Sequence, residues 1–168
     1  MKRLLLLPIL ASMLAGCAGY QLGPMPPRAM ADVKTLAVPN FVNETFEPRI
    51  EALVTDTLIT ELQQDGTFKI VREKDADAVL NARIIELRRS KARSVRGNTL
   101  ATREFNLTLR AKYTVTRRST GEELIVREAS GTTSFFINND LQQDERQAIP
   151  LAAAKLAAEI SSQIAEGW

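Results

Sequence analysis

Between Phe105 and Thr116 the sequence alternates without a break: Phe105, Leu107, Leu109, Ala111, Tyr113 and Val115 interleave with Asn106, Thr108, Arg110, Lys112, Thr114 and Thr116. Successive side chains of an extended chain point to opposite faces, so this period of two commits the segment to a strand with one dry face and one wet face. A helix would scatter the same residues around its circumference. The strand runs from Glu104 to Arg118, which at about 3.3 Å per residue spans roughly 50 Å, against ~17–20 Å for an ordinary strand. Any sheet built around it is covered on one face and wet on the other, as antiparallel sheets commonly are.

The neighbours of this strand follow from the same reasoning. Ser119-Thr120-Gly121-Glu122 reads as a hairpin turn, and Glu123 to Phe136 returns as a strand rich in β-branched and aromatic residues. Val79 to Arg89 is a second long strand, whose paired Ile84-Ile85 breaks the alternation and marks a bulge. Shorter strands are expected at Lys34 to Val38, ended by Pro39-Asn40, and at Phe68 to Val71. Ile50, Leu53, Val54, Leu58 and Leu62 share one face of a helix that has Pro48 in its first turn and stops at Asp65-Gly66. A last helix, from about Asp144 to Glu166, buries Ile149, Leu156, Ile160 and Ile164, with Pro150 either kinking it or marking its start. The order predicts an α+β fold: two helices packed on one face of a mixed, mainly antiparallel sheet with long strands. The first helix is only about 25 Å long, and neither helix matches the long strand, so the strand pair is expected to project beyond them as a polar-faced ribbon.

The amino terminus carries a different signal. Met1, Lys2 and Arg3 precede an apolar run from Leu4 to Leu14, the layout of a secretory leader. A membrane-spanning helix needs about 20 apolar residues, and this run is shorter and contains Pro8. Leu14-Ala15-Gly16-Cys17 matches a bacterial lipobox, with Cys17 as the acylation point. Several acyl chains on one residue make attachment practically permanent, since each buried CH₂ adds about 0.8 kcal/mol. Ala18 follows the cysteine, and the absence of Asp there favours the outer membrane. The expected organisation is a signal peptide over 1–16, a lipid anchor and Pro/Gly-rich tether over 17–31, and a single domain over 32–168. With one cysteine in the chain, no intramolecular disulfide is available, and the domain stands on its apolar core.

Charge and residue types narrow the chemistry. The net charge of +2 comes from Lys2 and Arg3, so the mature chain is formally neutral. It is uneven, however: from Arg83 to Arg118 eleven Lys or Arg face only Glu86 and Glu104. Arg88, Arg89, Lys91, Arg93, Arg96 and Arg103 concentrate around the loop between two long strands, and guanidinium forks suit phosphate oxygens. The plainer reading is that these charges keep a strand edge soluble. Nucleic acid is an unsuitable partner for an exported chain. There is no histidine, the one thiol is committed to lipid, and no glycine-rich phosphate loop is present, so neither catalysis, nor a metal, nor a cofactor is expected. Asp75 and Asp77 form a pair of carboxylates, but in a Lys-Asp-Ala-Asp turn solvated structural roles are the simpler account.

Several segments together resemble one family. Cys17-Ala18-Gly19-Tyr20, then Lys34 to Phe41 (KTLAVPNF) with Asn43-Glu44-Thr45, then a helix closing in Gln64-Asp65-Gly66, then Asp75 to Leu80, in that order and followed by a long strand pair ending near Ser130-Gly131-Thr132, look like the LPS-assembly lipoprotein family of LptE type. The resemblance implies a non-enzymatic outer-membrane lipoprotein on the periplasmic side. It would lodge as plug and assembly partner inside the LPS translocon, a large outer-membrane β-barrel protein of LptD type, and contact lipopolysaccharide. The six basic residues named above are the candidate LPS contacts, chosen on local charge. Other periplasmic lipoproteins begin with comparable strand and helix text, and the alternative is a partner-binding module of curli-secretion or peptidoglycan-synthase-activator type. The first of these requires amphipathic membrane hairpins, which the sequence lacks.

Overall fold

The computed structural model describes residues 27–92, 104–136 and 141–166. In chain order its elements are β1 (Thr35–Ala37), β2 (Val42–Asn43), α1 (Ile50–Asp65), β3 (Lys69–Ile70), β4 (Ala78–Lys91), β5 (Glu104–Arg117), β6 (Glu123–Phe136) and α2 (Leu141–Ala165). The strands make one six-stranded sheet in the order β3-β1-β4-β5-β6, with β2 also paired to β4. β1 runs parallel to β3 and β4, and β2 parallel to β4, while β4, β5 and β6 form an antiparallel meander. This is the predicted α+β arrangement.

β5 occupies the middle of the meander, and its alternation is realised residue by residue: Leu107, Leu109, Ala111, Tyr113 and Val115 are buried and Phe105 is half-buried. They join one core with Leu80 and Ile84 of β4, Val54, Leu58 and Leu62 of α1, and Leu156, Ile160 and Ile164 of α2. Burying each such side chain contributes about 1.5–3 kcal/mol, so this layer supplies most of what holds sheet to helices. Two bulges interrupt the meander, one between Ile84 and Glu86 and one between Val115 and Thr116. The first falls on the Ile84-Ile85 pair that the sequence singled out.

The helices end and begin for identifiable reasons. α1 stops at Gly66, whose φ of 76° lies in the left-handed region that glycine enters at no steric cost, with its N–H donating to the Leu62 carbonyl at 3.1 Å. Pro48 sits two residues ahead of the helix rather than in its first turn, and Arg49, with φ 66°, makes the bend between them. α2 begins at Leu141, earlier than expected, and continues through Pro150, whose side is exposed.

That early start changes the expected shape. The α2 axis of 25 residues covers about 38 Å at 1.5 Å per residue, and Leu141 already packs against the core at the Phe105 end of the sheet. The strand pair therefore does not project bare beyond the helices on the core side; only its opposite face is open. Close approach of α2 to β6 depends on Gly131, where a Cβ would collide with the Ala152 carbonyl oxygen and the Leu156 backbone nitrogen.

Replacing Gly131 with alanine is expected to force α2 off the sheet and to destabilise the domain by about 1–3 kcal/mol, read as a lowered urea midpoint, whereas Ser130→Ala one residue away should leave it nearly unchanged.

Candidate functional site

The meander turns one face to the helices and leaves most of the other uncovered, apart from a corner where Val79 is buried with Ala37 and Ala76. Cross-strand register brings Arg83 opposite Lys112, Glu86 opposite Arg110, and Arg110 opposite Ser130 on this open face. Its charges are paired between strands: Arg110 lies 3.3 Å from Glu86 and 3.7 Å from Glu128, Lys112 lies 3.0 Å from Glu128, and Arg83 lies 3.3 Å from Glu44. Thr108 and Thr132 share a hydrogen bond of 3.0 Å across the β5–β6 pair. Where the sheet curves beside β2, the face forms a hollow of about 580 Å³ lined by Asn40, Val42, Arg83, Lys112, Val126 and Glu128. Val42 and Val126 are exposed there, an apolar spot within a polar field.

The three described residues of the basic zone do not form one patch. After the bulge at Ile84/Glu86 the β4 alternation changes phase, so Arg88 opposes Thr108 on the open face while Arg89 and Lys91 oppose Leu107 and Phe105 on the helix side. Arg89 then meets Glu145 of α2 at 2.6 Å, and Arg88 lies 3.8 Å from Glu86. Acidic partners that appear missing along the strand are supplied from other elements, by Glu44, Glu128 and Glu145. Each of these half-exposed pairs contributes at most about 1 kcal/mol, and together they offset part of the run's positive charge without neutralising it. Arg93, Arg96, Arg103 and Cys17 lie outside the described residues.

The sheet has two distinct ends. Asp32 lies 3.7 Å from Arg117, so the chain enters the domain beside the β5–β6 turn. Lys91, Glu104 and Phe136 lie at the opposite end, about 45 Å away along strands of 14 residues. At that far end the rings of Phe105 and Phe135 lie 6.1 Å apart, tilted by 34°, and Phe136 and Leu151 stand exposed around a hollow of about 320 Å³. The sequence held no clear signal for this apolar end, since Leu151 falls in an ordinary helical pattern.

Asp77 is a structural residue. Its Oδ2 accepts from the Lys34 N–H at 3.0 Å and the Thr35 N–H at 2.9 Å, while its own N–H donates to Thr35 Oγ1 at 2.8 Å. These bonds fasten β1 to the start of β4, and the two backbone donors hold the carboxyl below its usual value. Asp75 pairs instead with Arg72 at 3.4 Å. Inside the core, Tyr113 donates to Gln163 Oε1 at 2.7 Å, and burial pushes its phenol up to about 12. Among the described residues no cluster of His, Cys, Asp and Glu is placed to hold a metal ion, and no helix is long and apolar enough to cross a membrane.

A family model described as lipopolysaccharide-assembly, LptE, matches residues 33–164, from the entrance of β1 to the last turn of α2. The chain belongs to the LptE family. No curated protein matches it. Among solved structures, the LptE-family chain is similar to the PelC dodecamer from Paraburkholderia phytofirmans, at 19% identity and TM-score 0.55 over 84% of this chain and 95% of that one. It is also similar to a putative lipoprotein from Caulobacter crescentus, at 19% identity and TM-score 0.54 over 77% and 87% of the two chains. A minor lipoprotein from Acinetobacter baumannii matches at 19% identity and TM-score 0.51 over 79% and 92%. At these identities the likeness concerns the fold, which the LptE-family chain shares with diverse lipoproteins.

Because the Asp77 carboxyl is depressed in the folded state, its contribution is complete above the ordinary carboxylate range and is lost as pH falls through the folded value. Asp77→Ala is expected to cost about 1 kcal/mol at neutral pH, solvent screening keeping it small, with the gap to the parent closing in acid-unfolding curves below about pH 4.

Proposed function

We propose that this protein is a lipid-anchored outer-membrane component of lipopolysaccharide assembly, seated inside the β-barrel of the translocon as its plug. Family membership supports the assembly role. One observation carries the seating: helices cover a single face of a sheet about 45 Å long, and the other face is mostly Asn, Thr, Ser and cross-paired charges, with Val42 and Val126 as a small apolar spot. A barrel lumen is polar, and a flat hydrophilic surface with its charges already paired can be enclosed there without stranding an unpaired ion. The separation of the two ends fits the same picture. Cys17 would moor the chain through the tether at the β5–β6 turn, and the Lys91–Glu104 end would lie deepest in the lumen.

In this arrangement the basic residues near the far end meet the phosphates of lipopolysaccharide. Arg88 and Lys91 are exposed there, Arg93, Arg96 and Arg103 belong to the connecting segment, and Arg89 would have to leave Glu145 to take part. The work is binding and positioning, with no catalytic step.

Photoreactive residues at Asn106 and Thr114 on the open face are expected to form adducts with a β-barrel protein in intact cells. Open-face cysteines that are freely labelled by a water-soluble thiol reagent in the assembled state, with no barrel adduct, would overturn the plug reading. Charge reversal at Arg88, Arg93 and Arg96 together should weaken lipopolysaccharide binding of the purified protein by tenfold or more, about the loss of one charge-assisted contact, with an unchanged circular dichroism spectrum; retained binding would remove these residues from the ligand site.

A further inference from the structure

Besides the two-residue strands β2 and β3, two long strands have an edge without a partner strand among the described residues, and these two edges are built differently. Beyond the point where β2 ends, β4 is open, and the Ala92 N–H donating to the Glu104 carbonyl sets the alternation that turns the backbone groups of Leu87, Arg89 and Lys91 outward. That stretch carries Arg88, Arg89 and Lys91, the dense charge with which proteins prevent strands from adding to an edge. β6 is open along its other side. The Arg117 N–H donating to the Glu122 carbonyl and the register above it assign odd-numbered residues of β6 to β5. The N–H and C=O groups of Val126, Glu128, Ser130, Thr132, Ser134 and Phe136 therefore point outward.

Only the first half of this second edge is guarded. It holds Glu123, Arg127 and Glu128, and Gln163 Nε2 reaches the Glu128 carbonyl at 3.5 Å. From Ala129 to Phe136 the strand reads Ala-Ser-Gly-Thr-Thr-Ser-Phe-Phe, with no charge and no proline. It ends at the exposed Phe136, beside the hollow that Phe135, Ala148 and Leu151 line on the helix side, with Asp144 and Gln147 at its polar part. An extended chain laid along this edge would find main-chain partners at every second residue, and an apolar side chain projecting toward α2 would drop into that hollow, the combination by which strand addition obtains affinity and selectivity.

We infer that the Ala129–Phe136 edge of β6 is a strand-addition site for an extended, uncharged segment of the partner polypeptide that carries a large apolar side chain near one end. Absence of charge on the edge selects an uncharged occupant, because a buried unpaired ion there would cost several kcal/mol. A closed barrel wall has no free strand edge to offer, so the occupant is a loop or terminal segment of the partner. The inference rests on the partner-bound reading above and states how the partner is gripped.

Amide hydrogen exchange on the complex extracted from outer membranes, compared with the free soluble domain, tests it. The Ser130, Thr132 and Ser134 amides are expected to exchange fast in the free domain and, in the complex, to slow to the rates of Ala129 and Gly131. Ser130→Pro removes one outward N–H without touching the β5–β6 ladder and should weaken capture of the partner about tenfold; Ser134→Lys, which places a guarding charge on the edge, should do the same if the proline variant fails to fold. Outward amides that stay fast while the open face still cross-links to a barrel would sink this inference and leave the plug reading standing. Protected amides in a complex whose partner is not a barrel would do the reverse.

Discussion

Every face and edge of this domain derives from β5 being hydrogen-bonded on both sides. Its even-numbered residues bond to β4, its odd-numbered residues bond to β6, and its side chains go alternately to the helices and to the open face. A slip of one residue would bury Arg110 and Lys112 and expose Leu109 and Tyr113, so register is fixed by a penalty of many kcal/mol. The small parallel strands, the seat of α2 at Gly131 and the position of the unpartnered backbone all follow from that register.

The bulge between Ile84 and Glu86 shows how one extra residue redistributes function. Without it Arg88 would face the helices, and Arg89 would join Arg83 and Arg110 on the open side. With it, Arg89 is diverted to Glu145 and the open face keeps a nearly balanced set of charges. Enclosing a face so balanced would cost less than enclosing one with unpaired ions, each of which would bring its own desolvation cost.

Much of this was legible in the sequence because the determining patterns are local. The alternation from Phe105 to Val115, the Ser119–Glu122 turn, Gly66 as a helix stop and the Ile84-Ile85 irregularity each state their conformation within a few residues. What escaped was non-local. Counting charge along the chain made Arg83 to Arg118 look unopposed, because Glu44, Glu128 and Glu145 approach only once strands and helix are paired. The true start of α2 is hidden because Leu141 to Gln143 carries little apolar periodicity, and its helical state is secured by contact of Leu141 with the core. Phe136 and Leu151 are unremarkable as sequence; that they border one hollow depends on where α2 crosses β6.

The contrast between the guarded edge of β4 and the bare edge of β6 has a consequence for supply. The edge displays eight consecutive uncharged residues, every second one with its amide facing outward, and such stretches pair with one another when nothing else occupies them. On the strand-addition reading, production in step with the partner, or escort until delivery, would follow from the chemistry of the strand itself.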